Sequence, residues 1–121
     1  MLKQIKKKVN LWLKNDVGFI NLSKKSFQDG FVYVLLLQDN KIYVGFSKNP
    51  KHRIKSHFFW PEVSFLRKYP PTDIIMIKVG GKDFEEHLTK LLMKEYGWKN
   101  VRGGGYTQLN LPKPKFICLE E

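Results

Sequence analysis

The fold is decided by residues 31–57, which read FVYVLLLQDNKIYVGFSKNPKHRIKSH. The apolar run from Phe31 to Leu37 is rich in β-branched and aromatic residues, and it predicts a strand buried on both faces. Asp39-Asn40 is a turn signal, and Lys41 to Gly45 predicts a second strand, so the two strands form a β-hairpin. Asn49-Pro50 then places an N-cap residue before a proline at the first helical position, which predicts a helix directly after the hairpin.

The flanking sequence predicts further helices and one more strand. Apolar residues recur at helical spacing from Leu2 to Trp12, with lysines between them, so we expect an amphipathic helix near the N-terminus. Asp73 to Val79 predicts a third strand, and Asp83 begins a longer helix that ends at about Tyr96. A last short strand is expected at Phe116 to Leu119. The order predicts an α+β domain with a small mixed or antiparallel three-stranded sheet, a hairpin plus one strand, flanked by helices.

Length and composition limit the class of protein. A chain of 121 residues is one domain, and a hydrophobic fraction of 42% is enough for a packed core. No apolar run approaches the roughly 20 residues of a membrane span, and the lone Cys118 cannot form an internal disulfide, so we expect a soluble, cytoplasmic protein with no membrane contact. Within the domain we distinguish a basic N-terminal helical segment, a core and an irregular tail, at residues 1–28, 31–101 and 102–121.

The formal net charge of +11 is concentrated in the first 69 residues. Such an excess on a folded domain is the electrostatic signature of a polyanion partner, so we expect nucleic acid; a basic surface kept for solubility is the alternative. Phe58 to Trp60 are expected to have a core role, with wedging against DNA as the alternative. The candidate phosphate contacts are Lys48, Lys51, Lys55, Arg67, Lys68 and Arg102.

The order of residues in and after the hairpin resembles the GIY-YIG endonuclease family, which includes phage homing endonucleases. Phe31-Val32-Tyr33 stands where that family has Gly-Ile-Tyr, and Tyr43-Val44-Gly45 stands where it has Tyr-Ile-Gly. Arg53 and His57 follow at a spacing that puts both on one helical face. Phe31 in place of the first glycine is a departure that affects the start of the strand or the fit of the substrate, while the tyrosine is kept.

The resemblance extends over residues 31–101 and implies hydrolysis of a phosphodiester bond assisted by one metal ion. It implies that Tyr33 activates the attacking water, that Tyr43 orients the reactants and that Arg53 contacts the phosphate oxygens. His57 would relay a proton or bind a phosphate. A phenol is a weak base at neutral pH, so we expect nearby positive charge to lower the pKa of Tyr33. Taken singly, each of these residues also has a structural interpretation, such as a half-buried strand aromatic.

The implied metal ligand is Glu85 or its neighbour Glu86. On a helix Glu85 shares a face with Leu88, whereas Glu86 shares one with Lys90 and is more solvated. We therefore expect Glu85 to face the sheet and to hold Mg²⁺, or Mn²⁺ in its place, because one carboxylate plus waters suits this ion. Asn100 is either the late asparagine of the family's catalytic set or a turn former.

The hairpin register tests whether Tyr33 and Tyr43 can lie in one site. A two-residue loop at Asp39-Asn40 would pair Leu36 with Tyr43 and would place Tyr33 on the opposite face. Convergence of the two tyrosines needs a bulge or a three-residue loop, Asp39 to Lys41. We predict this odd register.

We therefore expect a small Mg²⁺-dependent endonuclease of the phage or mobile-element type that acts on duplex DNA. With one active site per chain, a monomer would nick one strand, and a double-strand break would need a transient dimer. Specificity would come from the basic N-terminal segment, the 60–71 loop, the glycine loop or a targeting partner protein. The alternatives are a non-catalytic nucleic-acid-binding module on the same fold, or an accessory protein that meets an acidic partner.

Overall fold

A computed structural model describes residues 1–15 and 30–118. The predicted end of the first helix and the connection after it, residues 16–29, lie outside the described residues, as do residues 119–121. The elements in chain order are α1 (Leu2–Asn15), β1 (Phe31–Leu37), β2 (Ile42–Ser47), α2 (Pro50–Phe59), α3 (Ser64–Lys68), β3 (Pro71–Val79), α4 (Lys82–Tyr96), β4 (Val101–Gly103) and α5 (Lys115–Cys118).

The sheet is mixed and has four strands in the order β3-β1-β2-β4. β1 is antiparallel to β2 and β3, while β4 is parallel to β2. The α+β class is confirmed, but the prediction of three strands is wrong, because it missed the three-residue β4. The strand predicted at Phe116 to Leu119 is also wrong over residues 116–118, while Leu119 lies outside the described residues. The chain forms the short helix α5 there, with the Ile117 N–H bonded to the Pro114 carbonyl at 3.1 Å.

The hairpin between β1 and β2 has the odd register that the sequence argument requires. Tyr33 pairs with Gly45 and Leu35 pairs with Tyr43, so both tyrosines point to the same face of the sheet. The connection is the three-residue turn Gln38–Asn40, one residue earlier than expected. The shift arises because the Leu37 N–H bonds the Lys41 carbonyl at 2.8 Å and closes the loop there.

Helices cover both faces of the sheet. One face carries Val32 and Val34, which pack in a core with Ile5 of α1 and with Phe84 and Leu88 of α4. Because Ile5 is fully buried there, α1 is part of the packed domain, and the lysines between its apolar residues lie on its outer side.

The other face of the sheet carries the two tyrosines. Tyr33 and Tyr43 pack in a second core with Ile54 of α2 and with Phe65 and Leu66 of α3. None of the helices within the described ranges is long and apolar enough to cross a membrane.

The ends of the two long helices that flank the site follow the sequence closely. Asn49 caps α2, accepting the His52 N–H on its side-chain oxygen at 3.3 Å. α4 ends at Tyr96 as predicted, followed by Gly97 at a φ of 93° that favours glycine. Its start differs, because Gly81 rather than Asp83 occupies the N-cap.

Candidate active site

The centre of the site is a buried hydrogen bond between β1 and α2. The Tyr33 hydroxyl lies 2.7 Å from Nε2 of His57, and each residue is only 1% exposed. The odd hairpin register turns Tyr33 towards α2, and Ile54 docks that helix on the same face of the sheet. The strand and the helix thus hold the two polar groups together away from bulk water.

Tyr43 completes an aromatic group around the imidazole. Its ring centroid lies 5.2 Å from that of His57 in an edge-on arrangement at 69°, and the Tyr33 centroid lies 5.7 Å from the same ring. The structure therefore brings together Tyr33, Tyr43 and His57, three residues that the sequence singled out from separate elements.

Gly45 is needed for this packing. A Cβ atom at position 45 would overlap the phenol ring and hydroxyl of Tyr33, which lie directly across the glycine. The glycine that follows Tyr43-Val44 in the sequence is therefore explained by the tyrosine on the paired strand, because no other residue leaves room for its ring.

Burial sets the protonation states of the three rings. It raises the pKa of Tyr33 well above its ordinary value, helped by Tyr43 and Glu85 and opposed by Arg53. It raises the pKa of Tyr43 to about 12 and lowers that of His57 to about 4. The expected lowering of the Tyr33 pKa is therefore wrong, because burial outweighs the nearby guanidinium. Near neutral pH both phenols are protonated, and we assign the Tyr33 O–H as donor to a neutral imidazole.

Glu85 approaches this group from α4, beside the chain that leaves β4. Its carboxylate accepts the Gly104 backbone N–H, and its charge raises the pKa values of Tyr33 and Tyr43. The pKa of Glu85 is itself raised by burial. Glu86 is exposed and lies 3.9 Å from Lys90, one turn along the helix. Of the two adjacent carboxylates, only Glu85 acts on the tyrosines.

One of the comparisons with known proteins identifies the family of the chain. The sequence model described as the GIY-YIG catalytic domain matches residues 29–107, well over half of the chain. The chain belongs to the GIY-YIG family. The predicted resemblance is thereby confirmed, and it implies nuclease activity in general, on DNA and with the help of a metal ion. No curated protein and no solved structure matches the chain significantly.

The residues around Glu85 fit a metal ion that takes few ligands from the protein. No three His, Cys, Asp or Glu side chains in the described parts of the chain are grouped to hold a metal ion. Glu85 instead lines an open cleft of about 360 Å³ together with Lys82, Asp83, Glu86, Gly104 and Gly105. One partly desolvated carboxylate beside an open cleft suits an ion that keeps most of its ligands as water and substrate oxygens.

The cations predicted to contact DNA differ in how free they are. Lys48, Lys51 and Lys55 are exposed, after β2 and on the outer side of α2. Arg67 is exposed but donates to the Glu62 carbonyl at 2.8 Å and holds the loop before α3. Lys68 lies over the ring of the neighbouring Tyr69, 5.5 Å from its centroid.

Arg102 does not fit the predicted role as a phosphate contact. It is 4% exposed, and its guanidinium donates to backbone carbonyls of Gln108, Trp98, Val101 and Leu109 at 2.7–3.0 Å. Its carbon also lies 4.5 Å from the Phe65 ring centroid. These contacts use its donors to fold the C-terminal loop, so its assignment as a nucleic-acid contact is corrected.

Asn100 lies at the opposite end of α4 from Glu85. Its amide nitrogen bonds the Tyr96 carbonyl at 2.8 Å, and its oxygen accepts from Lys41 at 2.7 Å. Glu85 is in the first turn of α4 and Tyr96 ends the helix, a separation of roughly 16 Å along the axis. In this geometry Asn100 joins the end of α4 to the start of β2, which is a positioning role.

Sequence reasoning missed two features of the site. One is the Gly104 backbone N–H that supports Glu85; its signal was the Gly103-Gly104-Gly105 run, where φ is 152° and 55° at the first two residues. The other is the exposure of Phe58, Phe59 and Trp60, which corrects the core role expected for all three.

Proposed function

We propose that this chain is a metal-dependent endonuclease that hydrolyses phosphodiester bonds in duplex DNA, with one active site per chain. The observation that carries the proposal is the buried Tyr33–His57 hydrogen bond. Tyr43, Arg53 and Glu85 lie close enough to shift the pKa of Tyr33. A purely structural tyrosine does not need a neutral imidazole, a guanidinium and a carboxylate around it, whereas hydrolysis needs a proton acceptor, a cation and a metal ligand.

Arg53 would bind the phosphate. It lies on α2 one turn before His57, and its charge reaches Tyr33, Tyr43 and His57. A planar guanidinium matches two non-bridging phosphate oxygens and offsets the charge that repels an incoming nucleophile. Arg53 thereby places the phosphorus close to the Tyr33 hydroxyl.

The proton of the attacking water would leave through Tyr33 to His57. As the water oxygen bonds to phosphorus, the bond from phosphorus to the leaving oxygen breaks, and the leaving oxygen takes a proton from solvent. The proton of the attacking water passes to the Tyr33 oxygen, and the phenol proton passes to Nε2 of His57, 2.7 Å away. The phenol is unchanged after the step, and the imidazole becomes imidazolium. This path needs no phenolate, which burial strongly disfavours. Tyr43 packs against the imidazole and fixes its orientation.

Glu85 would hold the metal ion in the cleft beside Gly104 and Gly105. A bound Mg²⁺, or Mn²⁺ in its place, supplies positive charge that stabilises the developing charge on the phosphate oxygens. Burial raises the pKa of Glu85, so a cation placed beside it relieves an unfavourable carboxylate environment.

The extent of cleavage follows from the number of sites. Lys48, Lys51 and Lys55 give the molecule an exposed basic surface beside the catalytic helix, which supports binding along a phosphate backbone. One Tyr33–His57 pair per chain activates water at one phosphodiester bond at a time, so a monomer would release nicked DNA. A transient dimer or a targeting partner would be needed for paired cuts.

Plasmid cleavage tests the proposal. Supercoiled plasmid and varied phage and bacterial DNA are incubated with the purified protein, with Mg²⁺, Mn²⁺ or EDTA. The protein should give metal-dependent open circles. Glu85→Gln should remove cleavage, and Glu86→Gln is the matched control, since it makes the same change at the neighbouring exposed position and should keep the activity.

The contrary results are equally specific. If the protein binds every DNA but cleaves none of them, the endonuclease proposal gives way to a non-catalytic binding module. Loss of activity in Glu86→Gln with activity kept in Glu85→Gln would overturn the assignment of the metal ligand.

A further inference from the structure

Two large aromatic side chains are exposed at the end of the catalytic helix. Trp60 is the C-cap residue of α2 and is 71% exposed, and Phe59 beside it is 64% exposed. Their ring centroids lie 5.7 Å apart at an interplanar angle of 52°. Aromatic rings normally bury most of their surface, so this pair leaves stacking surface free on an otherwise basic helix.

Trp60 forms one wall of a small pocket that combines the groups needed to bind a base. The pocket has a volume of about 270 Å³ and is lined by His52, Lys55, Ser56 and Trp60. This is slightly below the roughly 300–1,000 Å³ of sites that enclose drug-sized ligands, which suits a single heterocycle. The indole offers a stacking face, the imidazole and hydroxyl offer hydrogen bonds to a base edge, and the ammonium offers a charge for the adjoining phosphate.

The pocket lies within reach of the proposed reaction. Trp60 follows Arg53 by seven residues along α2, which is two helical turns and about 10.5 Å. Along one strand of duplex DNA, successive phosphates are about 3.4 Å apart in the axial direction. A strand that runs along α2 with a phosphate at Arg53 therefore has a nucleotide about three steps away at the level of Trp60.

We propose that Trp60 and this pocket bind an unpaired base of the DNA substrate, about three nucleotides from the phosphate at Arg53. This inference rests on the proposed endonuclease function and specifies its substrate class. Inside a duplex each base is stacked between its neighbours and presents no free face to the indole. The site therefore favours DNA in which a base about three nucleotides from the cleaved bond is unpaired, such as the edge of a bubble or a flap.

Equilibrium binding tests the proposal without requiring cleavage. Fluorescence anisotropy in EDTA measures the affinity for a short duplex and for the same duplex with a central unpaired bubble. The natural protein should prefer the bubble. Trp60→Ala should weaken bubble binding by about 5- to 100-fold, the effect of losing one aromatic–base stack, and should leave duplex binding and duplex cleavage unchanged. Trp60→Phe should keep most of the preference.

Ile77→Ala is the matched control. Ile77 is 47% exposed and lines the apolar groove on the other side of α2, so its removal tests general hydrophobic adhesion and should leave the preference unchanged. An equal ratio of bubble to duplex affinity in Trp60→Ala and the natural protein would overturn the stacking site.

The failure of this inference is distinguishable from that of the proposed function. Cleavage without any bubble preference would refute the stacking site alone. A bubble preference that Trp60→Ala abolishes, in a protein that cuts no DNA, would confirm the stacking site and refute the endonuclease.

Discussion

Replacing Gly45 by alanine should disable the site through one contact. The added methyl group would overlap Cζ, Cε1 and the hydroxyl of Tyr33 far inside the 3.4 Å of ordinary van der Waals contact. Tyr33 is buried, with 1% of its surface exposed. Its ring must shift, and the hydrogen bond to His57 must break, or β1 and β2 must separate.

The magnitude follows from these two effects. Overpacking of a filled core destabilises by about 1–3 kcal/mol, and the loss of a buried hydrogen bond adds about 0.5–1.5 kcal/mol. We therefore expect Gly45→Ala to lower the free energy of unfolding by about 2–4 kcal/mol and to remove cleavage. Urea denaturation and the plasmid assay measure the two effects. Gly105→Ala is the control for the stability measurement alone, because the nearest atom to its Cβ would be a Glu86 carboxylate oxygen at 3.9 Å.

A double-mutant cycle shows whether Tyr33 is the cause. A leucine at position 33 ends before the ring atoms that a Cβ at position 45 would meet. In a Tyr33→Leu background, Gly45→Ala should therefore have little effect on stability, which gives a coupling energy of about 2 kcal/mol or more. Equal destabilisation in both backgrounds would refute the packing explanation and would point to backbone conformation at Gly45 instead.

The remaining predictions concern two buried polar side chains, His57 and Arg102, and the exposed Lys51. The pKa of His57 is lowered from 6.5 to about 4, so the unfolded chain binds the proton more tightly. The contribution of His57 to the free energy of unfolding should be full above pH 6.5, and this free energy should fall by about 3 kcal/mol as the pH drops to 4. Unfolding measured against pH should show a flatter curve for His57→Gln. An equally steep curve for this variant would contradict the assignment. Arg102→Lys should lower stability by about 2–4 kcal/mol through lost carbonyl contacts without changing the salt dependence of DNA binding. Lys51→Ala should do the reverse, reducing the salt slope by about 0.9, and exchanged outcomes would restore Arg102 as a phosphate contact.

Much of the framework was predictable because its signals are local. The β1–β2 hairpin follows from an apolar run, a turn and a second short run. The start of α2 follows from Asn49 and Pro50, and the end of α4 follows from Gly97. The odd register was predictable only through chemistry, since the turn sequence alone favoured a two-residue loop.

The features that were missed depend on distant partners. β4 has three residues and is a strand because it pairs with β2, with Val101 opposite Ile42, 59 positions apart in the sequence. Arg102 on that strand carries the same charge as the exposed lysines, and its burial is set by carbonyls of the loop that folds back over it. A count of charges along the sequence cannot separate a cation that binds phosphate from one that binds its own backbone.

The raised pKa of Tyr33 changes the chemistry that the site can perform. At an ordinary pKa of 10, only about one phenol in a thousand is ionised at pH 7, and burial reduces this fraction further. A resting phenolate is therefore a poor choice for the base that activates water. Burial of His57 keeps the imidazole neutral and leaves Nε2 able to accept the phenol proton across 2.7 Å. The same burial, together with Arg53, disfavours the imidazolium that this transfer forms, so His57 holds the proton only during the reaction and releases it afterwards.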